Sequence, residues 1–399
     1  MIRLLSFILY STIFLGFVYS CSDIKSEPLQ SEKKEWLMDD SLAIFLDEFE
    51  QNFEEGLLRN RIPGGAIVIV KDGRVISQKG FGVRENGSSE KVNEHTVFRL
   101  GSISKGFASV LTGVVIDEGL MDWDDPVIDY LEEFKLNDAE QTDRVQIKHI
   151  LSHTSGLPRH AYTNLVEDGL SLERIIPRLE RVPLISKEGE QLAYQNAAYS
   201  VIEKVIESQT NIDFDSLLEV KLFEPLAMSN TSTSFELIHS SENKALPHVY
   251  HSRARGRVPV PITKKYYNAI SSGGINASAA DMGKWLLLMT GNHPEIISNE
   301  VLGQIFEPQA SINNKRFSRY WEGVNRSDYG MGWRILDNDG QKVVYHGGYV
   351  NGYRSEIAFA PEEGLGICVL INAGSRYPLE VIPALFNHFK TDSLKAGIE

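Results

Sequence analysis

The sequence predicts an α+β fold in which an antiparallel β-sheet is flanked by helices and interrupted by an inserted all-helical lobe. Short β-type runs occur near both ends of the chain, at residues 66–82 and again within 333–372. The long section between them, residues 121–262, has helical spacing broken by prolines and lacks convincing strands. The sheet domain is therefore expected to comprise residues 36–120 and 263–399, and the helical lobe residues 121–262.

The first predicted elements are a helix and a β-hairpin. From Leu42 to Leu57 apolar residues recur at helical intervals, and this pattern ends near Pro63. Residues 66–70 then form a short β-type run, and Lys71-Asp72-Gly73 is typical of a tight turn before a second strand at residues 74–82. The fold is thus expected to open with a helix followed by an antiparallel hairpin.

The later elements follow from the same periodicities. In the middle section, helical spacing is clearest at residues 192–206 and 214–222. Four strand-like segments with Gly and Asp or Asn turns between them come next: residues 333–336, 343–345, 355–359 and 367–372. Residues 379–389 have the amphipathic spacing of a closing helix.

The N-terminus has the pattern of a targeting segment. Arg3 precedes the almost wholly apolar residues 4–19, and Ser20 stands directly before Cys21. A small residue followed by cysteine resembles the lipobox of bacterial lipoproteins, so we expect residues 1–21 to be a lipoprotein-type signal peptide with Cys21 lipidated. An ordinary cleaved signal peptide and a single membrane anchor are the alternatives. All three place the protein outside the cytoplasm.

A polar stretch, residues 22–35, follows and is expected to be a flexible tether between anchor and domain. The expected location is the bacterial cell envelope, with the lipid anchor in a membrane and the domain periplasmic or on the surface. Lipidation of Cys21 would leave no partner for a disulfide, because Cys368 is the only other cysteine. Cys368 lies in an apolar run and is expected to be a buried packing residue.

Composition and charge limit the classes of partner that the protein is expected to bind. The chain is 42% hydrophobic and 24% charged, which is ordinary for a globular protein. Its net charge of -14 argues against a nucleic-acid partner, since phosphate binding requires the opposite sign. No His or Cys cluster has metal-ligand spacing, so neither a metal nor a cofactor is expected. The basic run at residues 253–257 is expected to be a solvated loop, with contact to an acidic substrate as the alternative.

Ser102 and Lys105 are the feature that points to a reaction. Residues three apart share one face of a helix, so this pair can bring a hydroxyl and an amine into hydrogen-bond reach. The same Ser-x-x-Lys pattern also begins at Ser22, Ser31, Ser88 and Ser241. Only Ser102 opens a helical pattern, which extends over residues 103–115 and ends before Gly119. The start of a buried helix would favour negative charge on an attacking serine.

Several motifs occur in one order along the chain and carry a family resemblance. They are Phe98 to Lys105, Leu151 to Leu157, Tyr194-Gln195-Asn196, Ser272-Gly273-Gly274-Ile275 with Asp281, and His346-Gly347-Gly348. Together they resemble the β-lactamase-related serine hydrolases, which include class C β-lactamases, low-molecular-weight penicillin-binding proteins, D-aminopeptidases and esterases. The resemblance covers roughly residues 40–390 and implies an α/β sandwich of the β-lactamase/transpeptidase-like type.

The resemblance implies roles for the matched residues. Ser102 would be the acylated nucleophile, Lys105 the amine that helps to deprotonate it, and Tyr194 the phenol that passes the proton toward the leaving group. A lysine needs burial or nearby positive charge to give up its proton at neutral pH. Asn196 would hydrogen-bond the substrate backbone.

The opposite wall of the cleft is implied by the same resemblance. His346, Gly348 and Tyr349 would line it as substrate-binding residues, and the backbone N–H groups of Ser102 and Tyr349 would form the oxyanion hole. His153 is tempting as a base, but the resemblance makes it a structural turn beside the cleft. We expect that structural role for His153.

Histidine at position 346 departs from the lysine usual in class C β-lactamases. A histidine is mostly neutral at pH 7 and binds a carboxylate less firmly than an ammonium group does. Position 346 thus looks more like D,D-peptidases, D-aminopeptidases and esterases, although β-lactam hydrolysis stays open. The substrate is expected to be a small molecule or peptide: a peptidoglycan-like peptide, a β-lactam or an ester. The alternative is a catalytically idle penicillin- or peptidoglycan-binding or sensor lipoprotein.

Overall fold

The computed structural model of the protein describes residues 40–312 and 317–396. The predicted signal peptide, its lipidated Cys21 and the predicted tether at residues 22–35 lie outside the described residues. Within the described ranges, no helix is both long enough and apolar enough to cross a membrane.

Helices and strands alternate unevenly along the described chain. The α-helices are α1 Asp40–Arg59, α2 Ser104–Asp117, α3 Ala139–Arg144, α4 Ile147–Leu151, α5 Thr163–Glu167, α6 Leu172–Ile175, α7 Asn196–Tyr199, α8 Val201–Thr210, α9 Phe214–Leu218, α10 Phe235–Ser240, α11 Ile270–Gly273, α12 Ala279–Met289, α13 Asn299–Ile305 and α14 Pro378–Ala396. The strands are β1 Gly64–Lys71, β2 Arg74–Gly82, β3 Phe98–Arg99, β4 His248–Ser252, β5 Gly256–Pro259, β6 Asn276–Ala277, β7 Ala310–Ser311, β8 Val324–Tyr329, β9 Arg334–Asn338, β10 Gln341–Val350, β11 Tyr353–Ala360 and β12 Leu365–Ile371.

The main sheet confirms the predicted fold class. It has eight antiparallel strands in the order β2-β1-β12-β11-β10-β9-β8-β7. The last strand, β12, pairs with β1 near the N-terminus, so that Gly65 lies opposite Ile371. Strands β1 and β12 are near-continuous apolar runs because both of their faces are covered by helices. The sheet is thus assembled from both ends of the chain.

Helices packed on the sheet connect it to the rest of the core. The apolar helix α12 packs on β1 and β12, while α14 packs on β11 and β12. Helix α2 is buried at every position from Ser104 to Val115 and contacts α8, α11 and α13. A helix so enclosed cannot shift along its axis without disturbing close-packed neighbours. The residues at its N-terminus are therefore held in a fixed place.

The prediction that residues 121–262 are all-helical is wrong in one part. The helices α3 to α10 fall in this range, but it ends with the hairpin β4–β5. That hairpin was missed because most of its side chains are exposed or half-buried, which leaves no apolar alternation to detect. The helical spacing expected from residue 192 begins only at Asn196. The division into a sheet domain and a helical lobe stays a prediction.

Candidate active site

Ser102 lies in a short turn that leads directly into helix α2. The turn spans Gly101–Ile103 as a 3₁₀-helix, and α2 begins at the next residue, Ser104. Ser102 is half-buried and faces a cleft, whereas Lys105, on the first turn of α2, is completely buried. The order of turn and helix thus brings the hydroxyl to the surface of the cleft and places the amine behind it.

Two glycines allow strand β10 to lie against this turn. Gly101 has a φ of 55°, and a Cβ atom there would lie 2.9 Å from the backbone nitrogen of Tyr349. A Cβ on Gly348 would lie 1.9 Å from the carbonyl oxygen of Leu100. Because no other residue avoids these contacts, glycine is required at both positions. The backbone nitrogen of Tyr349 therefore lies beside the turn that carries Ser102, where the oxyanion hole was predicted.

Lys105 is held by two acceptors in the protein interior. Its Nζ donates to Oδ1 of Asn196 at 2.8 Å and to the carbonyl oxygen of Ser272 at 3.0 Å. It also lies 4.8 Å from the ring centroid of Tyr194. Burial lowers the pKa of Lys105, and the positive charge of Arg334 lowers it further, although Tyr194 opposes both effects. The net shift is in the direction that a lysine acting as a base requires.

Tyr194 connects the serine and the lysine. Burial alone would raise the pKa of its phenol, but the positive charges of Lys105 and Arg334 and hydrogen bonds with Lys105 and Ser102 outweigh burial, so this pKa is lowered. The three predicted groups Ser102, Lys105 and Tyr194 thus form one hydrogen-bonded cluster. A proton can move between them over short distances.

Asn196 begins α7 and uses both ends of its side-chain amide. Its Oδ1 accepts from Lys105, and its Nδ2 donates to the hydroxyl of Tyr266 at 3.1 Å. The Ser272 hydroxyl donates to the backbone carbonyl of Asn196 at 2.7 Å, which ties α11 to α7. Lys105, Tyr194, Asn196 and Ser272 form what we call the helical wall of the cleft.

The opposite side is the sheet wall, which we define as Arg334, Tyr345, Tyr349 and Arg354. These residues come from β9, β10 and β11, and they line a cleft of about 240 Å³ together with Ser102 and Tyr194. Arg354 pairs with the buried Glu356, which also accepts from the Tyr345 hydroxyl. Arg334 lies opposite Tyr345 in the sheet register, and within the described part of the chain it makes no ion pair. It therefore supplies an uncompensated positive charge to the cleft.

His346 lies behind this wall. It is completely buried on β10, where its Nδ1 donates to the carbonyl of Gly347 at 3.0 Å and its Nε2 accepts from the Tyr329 hydroxyl at 3.2 Å. Burial, together with the charges of Arg334 and Lys105, holds the pKa of His346 well below its usual value. The ring is therefore neutral. Its role in substrate binding stays a prediction, as do those of Gly348 and Tyr349.

His153 braces the segment that carries Tyr194. Its ring lies 4.3 Å, centroid to centroid, from the ring of Tyr194, and its Nδ1 accepts from the backbone N–H of Gln195 at 3.2 Å. Its carbonyl accepts from the N–H of Ala193 at 2.9 Å. Burial holds the pKa of His153 well below its usual value, so its ring stays neutral. These contacts favour a structural role.

Three residues near the site were missed by sequence reasoning. Arg334 lies within a predicted strand, but only the sheet register shows that it faces the cleft. Tyr266 reaches Asn196 across 70 positions of sequence, and Glu203 lies among buried serines behind the helical wall. None belongs to a recognisable motif. In the described ranges, no group of His, Cys, Asp and Glu is arranged to hold a metal ion.

The chain is similar to several known proteins. A family model described as Beta-lactamase matches residues 49–385. Protein flp of Staphylococcus aureus (strain N315) is 26% identical over 351 residues, which cover 86% of this chain and 66% of that protein. The unguisins hydrolase ungD' of Aspergillus campestris is 26% identical over 345 residues, which cover 83% of this chain and 62% of that protein. The chain thus spans less than two thirds of the length of these relatives.

A solved structure shares the fold. The octameric penicillin-binding protein homologue from Pyrococcus abyssi superposes with a TM-score of 0.74 at 26% identity. The match covers 86% of this chain and 77% of that chain.

Proposed function

The chain belongs to the Beta-lactamase family, and on that premise we propose that it is a serine hydrolase that cleaves an amide or ester bond through an acyl-enzyme on Ser102. The coarser assignment to a family of serine hydrolases has the support of the family match, the penicillin-binding protein homologue and the related hydrolase. The acyl-enzyme and the substrate are the parts that we propose.

In the proposed reaction, the Ser102 hydroxyl attacks the carbonyl carbon of the substrate and forms a bond to it. The hydroxyl proton passes to the Tyr194–Lys105 pair, which then donates a proton to the departing nitrogen or oxygen as the old bond breaks. The N–H groups of Ser102 and Tyr349 stabilise the negative oxygen that develops. Water then attacks the acyl-enzyme and releases the acid, with the same pair receiving and returning the proton.

The buried Lys105 is the observation that carries this proposal. An ammonium group without a carboxylate partner is costly in the protein interior, so its burial must be offset by a functional gain. Here the lysine lies against Tyr194 and one turn from Ser102, where a neutral amine could act as a base. A simple structural ion pair would instead require an acidic partner at this point.

The charge of Arg334 supports a substrate with a carboxylate. The sequence suggested weak anion binding because of His346, but the sheet wall carries a permanent guanidinium one strand away. A guanidinium binds a carboxylate through charge-assisted hydrogen bonds. We therefore favour a peptide with a free C-terminus or a β-lactam over an uncharged ester.

The test is intact-mass spectrometry of the purified protein after exposure to a fluorophosphonate, benzylpenicillin and a D-Ala-D-Ala peptide. We expect an adduct that is lost in Ser102→Ala and kept in Ser109→Ala, whose hydroxyl bonds to the Met331 carbonyl in the core. Disappearance of the peptide or the penicillin would name the substrate. No adduct on a folded protein would contradict the proposal, and a permanent adduct without product would favour the idle binding protein.

We also propose that the protein is anchored in the bacterial cell envelope through lipid on Cys21, with its domain outside the cytoplasm. This proposal has only the sequence pattern of residues 1–21 in its support. Metabolic labelling with a fatty acid should mark the wild type and not Cys21→Ser. Equal labelling of both would contradict it.

A further inference from the structure

We propose that Tyr266 determines specificity, by covering the side-chain amide of Asn196 and so disfavouring substrates that carry an acylamino group next to the scissile carbonyl. This inference rests on the proposed function, because it concerns the substrate of the same site. It concerns a residue outside every motif of the sequence.

Asn196 is already engaged on both sides. Its Oδ1 accepts from Lys105 at 2.8 Å, and its Nδ2 donates to the Tyr266 hydroxyl at 3.1 Å. Only 6% of the residue is exposed. A substrate carbonyl that accepts from this amide must therefore displace the phenol or compete with it.

Tyr266 is held in this place by further contacts. Its hydroxyl donates to Oε1 of Glu167 at 3.0 Å, and the other oxygen of Glu167 accepts from Lys265 at 2.8 Å. One face of its ring lies against α11, where a Cβ on Gly273 would be 3.1 Å from the Tyr266 Cγ. The phenol is thus fixed by a carboxylate, an amide and a backbone surface at once.

The backbone also indicates a constrained position. Tyr266 has a φ of 70°, in the left-handed region that a bulky residue rarely occupies. The loop is fixed on both sides of it, because Arg99 donates to the Thr263 carbonyl at 3.0 Å and Asn268 donates to the Val166 carbonyl at 3.0 Å. These anchors hold an unfavourable backbone conformation that points the phenol at Asn196.

The consequence is a preference for substrates that need no hydrogen bond from Asn196. A free amine next to the scissile carbonyl is smaller than an acylamino group and brings no carbonyl oxygen that must replace the phenol. We therefore expect a substrate with a free amine here and a carboxylate near Arg334.

The experiment compares benzylpenicillin with aminopenicillanic acid, which has the same ring and carboxylate but a free amine in place of the acylamino group. Rates of acylation of Ser102 are measured by intact mass for wild type, Tyr266→Phe, Tyr266→Ala and Glu167→Gln. Tyr267→Phe is the matched control, since its hydroxyl bonds to Asn276 instead of Asn196. Melting curves confirm that each variant is folded.

We expect the wild type to react faster with aminopenicillanic acid, and Tyr266→Phe to raise the relative rate of benzylpenicillin by about tenfold, the worth of one hydrogen bond to a buried amide. Tyr267→Phe should leave the ratio unchanged. A ratio that is the same in all variants, or a Tyr266→Ala protein that still excludes benzylpenicillin, would overturn the inference. Loss of fluorophosphonate labelling in the wild type would instead overturn the proposed function.

Discussion

The two walls of the cleft differ in the groups that surround their charged side chains. On the helical wall, the only charge-bearing group is Lys105, and it is surrounded by amide, carbonyl and phenol groups that hold it without an acidic partner. The sheet wall carries two guanidinium groups: Arg354 is neutralised by Glu356, whereas Arg334 makes no ion pair with any residue that the structure describes. In the proposed reaction, proton transfer is assigned to a buried wall with shifted pKa values, and recognition of charge to a wall whose cation is permanent.

A buried glutamate lies behind each wall, Glu356 behind the sheet wall and Glu203 behind the helical wall, and the two carboxylates differ in the groups that bind them. Glu356 accepts from Arg354 and Tyr345, so its charge is compensated. Glu203 accepts from the backbone N–H of Ser271 at 2.9 Å and from its hydroxyl at 2.6 Å, and burial raises its pKa to about 7. Burial raises the pKa of Glu356 as well, but the charge of Arg354 and the hydrogen bond from Tyr345 oppose that shift, whereas Glu203 accepts from the neutral groups of Ser271.

The largest effect is expected on the helical wall. Lys105→Met should lower kcat/KM by about a thousandfold, because it removes the general base while leaving Ser102 in place. Lys264→Met, which removes an exposed lysine paired with Glu236, is the control and should keep activity. Steady-state kinetics on a penicillin or peptide substrate measure this. Retention of activity within tenfold would mean that Tyr194 acts without the lysine.

Glu203→Gln should have the next largest effect, on stability. The folded pKa of about 7 lies above the ordinary value of 4.5, so the contribution of Glu203 to stability is complete below the unfolded pKa and is lost as pH rises between these values. Removing the titration should therefore stabilise the protein at about pH 8 by up to about 3 kcal/mol and change little at about pH 5. Urea unfolding at both pH values measures it.

Glu207→Gln is the control for this measurement, since Glu207 lies one turn further along α8 and is paired with Lys204 at 2.7 Å. A gain in unfolding free energy that is equal at both pH values would show that Glu203 does not titrate in this range.

On the sheet wall, Arg334→Met should weaken reaction with a carboxylate-bearing penicillin by about 10- to 100-fold relative to its methyl ester, as expected for a charge-assisted hydrogen bond. It should also move the acid limb of the pH profile to higher pH, because Arg334 lowers the pKa of both Lys105 and Tyr194. Arg326→Met, on neighbouring β8, is the control. Equal losses for acid and ester would contradict a carboxylate contact.

The smallest effect is expected for His346. Because its ring is buried, neutral and occupied by Tyr329 and Gly347, His346→Gln should change kcat/KM for the same penicillin by less than about threefold. The comparison of penicillin with its methyl ester again gives the measurement. A selective loss for the acid would assign anion binding to His346 and weaken the distinction drawn for Arg334.

Sequence reasoning was strongest where the chemistry is local. Ser102 and Lys105 are three positions apart, at the turn that leads into one helix and on its first turn. The segments of β1 and β12 can be recognised in the sequence as continuous apolar runs. Arg334 could not be found in this way, because its direction depends on the register of β9 against β10. Tyr266 and Glu203 act through partners that only tertiary packing brings near.

The polar strands were not predicted from the sequence, for a related reason. Strand β8 and the hairpin β4–β5 have exposed or half-buried side chains over most of their lengths. Their sequences therefore lack the alternation of apolar and polar residues that indicates a strand. Their pairing is fixed by backbone hydrogen bonds and by their neighbours. Such elements become visible only once the strands beside them are known.

The place of β12 in the sheet bears on when during synthesis the candidate site can first be completed. The growing chain carries Ser102, Lys105, Tyr194 and Asn196 well before Leu365–Ile371 has been made, yet β12 lies between β1 and β11 in the interior of the sheet. Until it inserts, β1 and β11 have no shared partner. Pairing across some 300 residues is slow to nucleate, so we expect the sheet that supports the site to be completed only when synthesis of the chain is nearly finished.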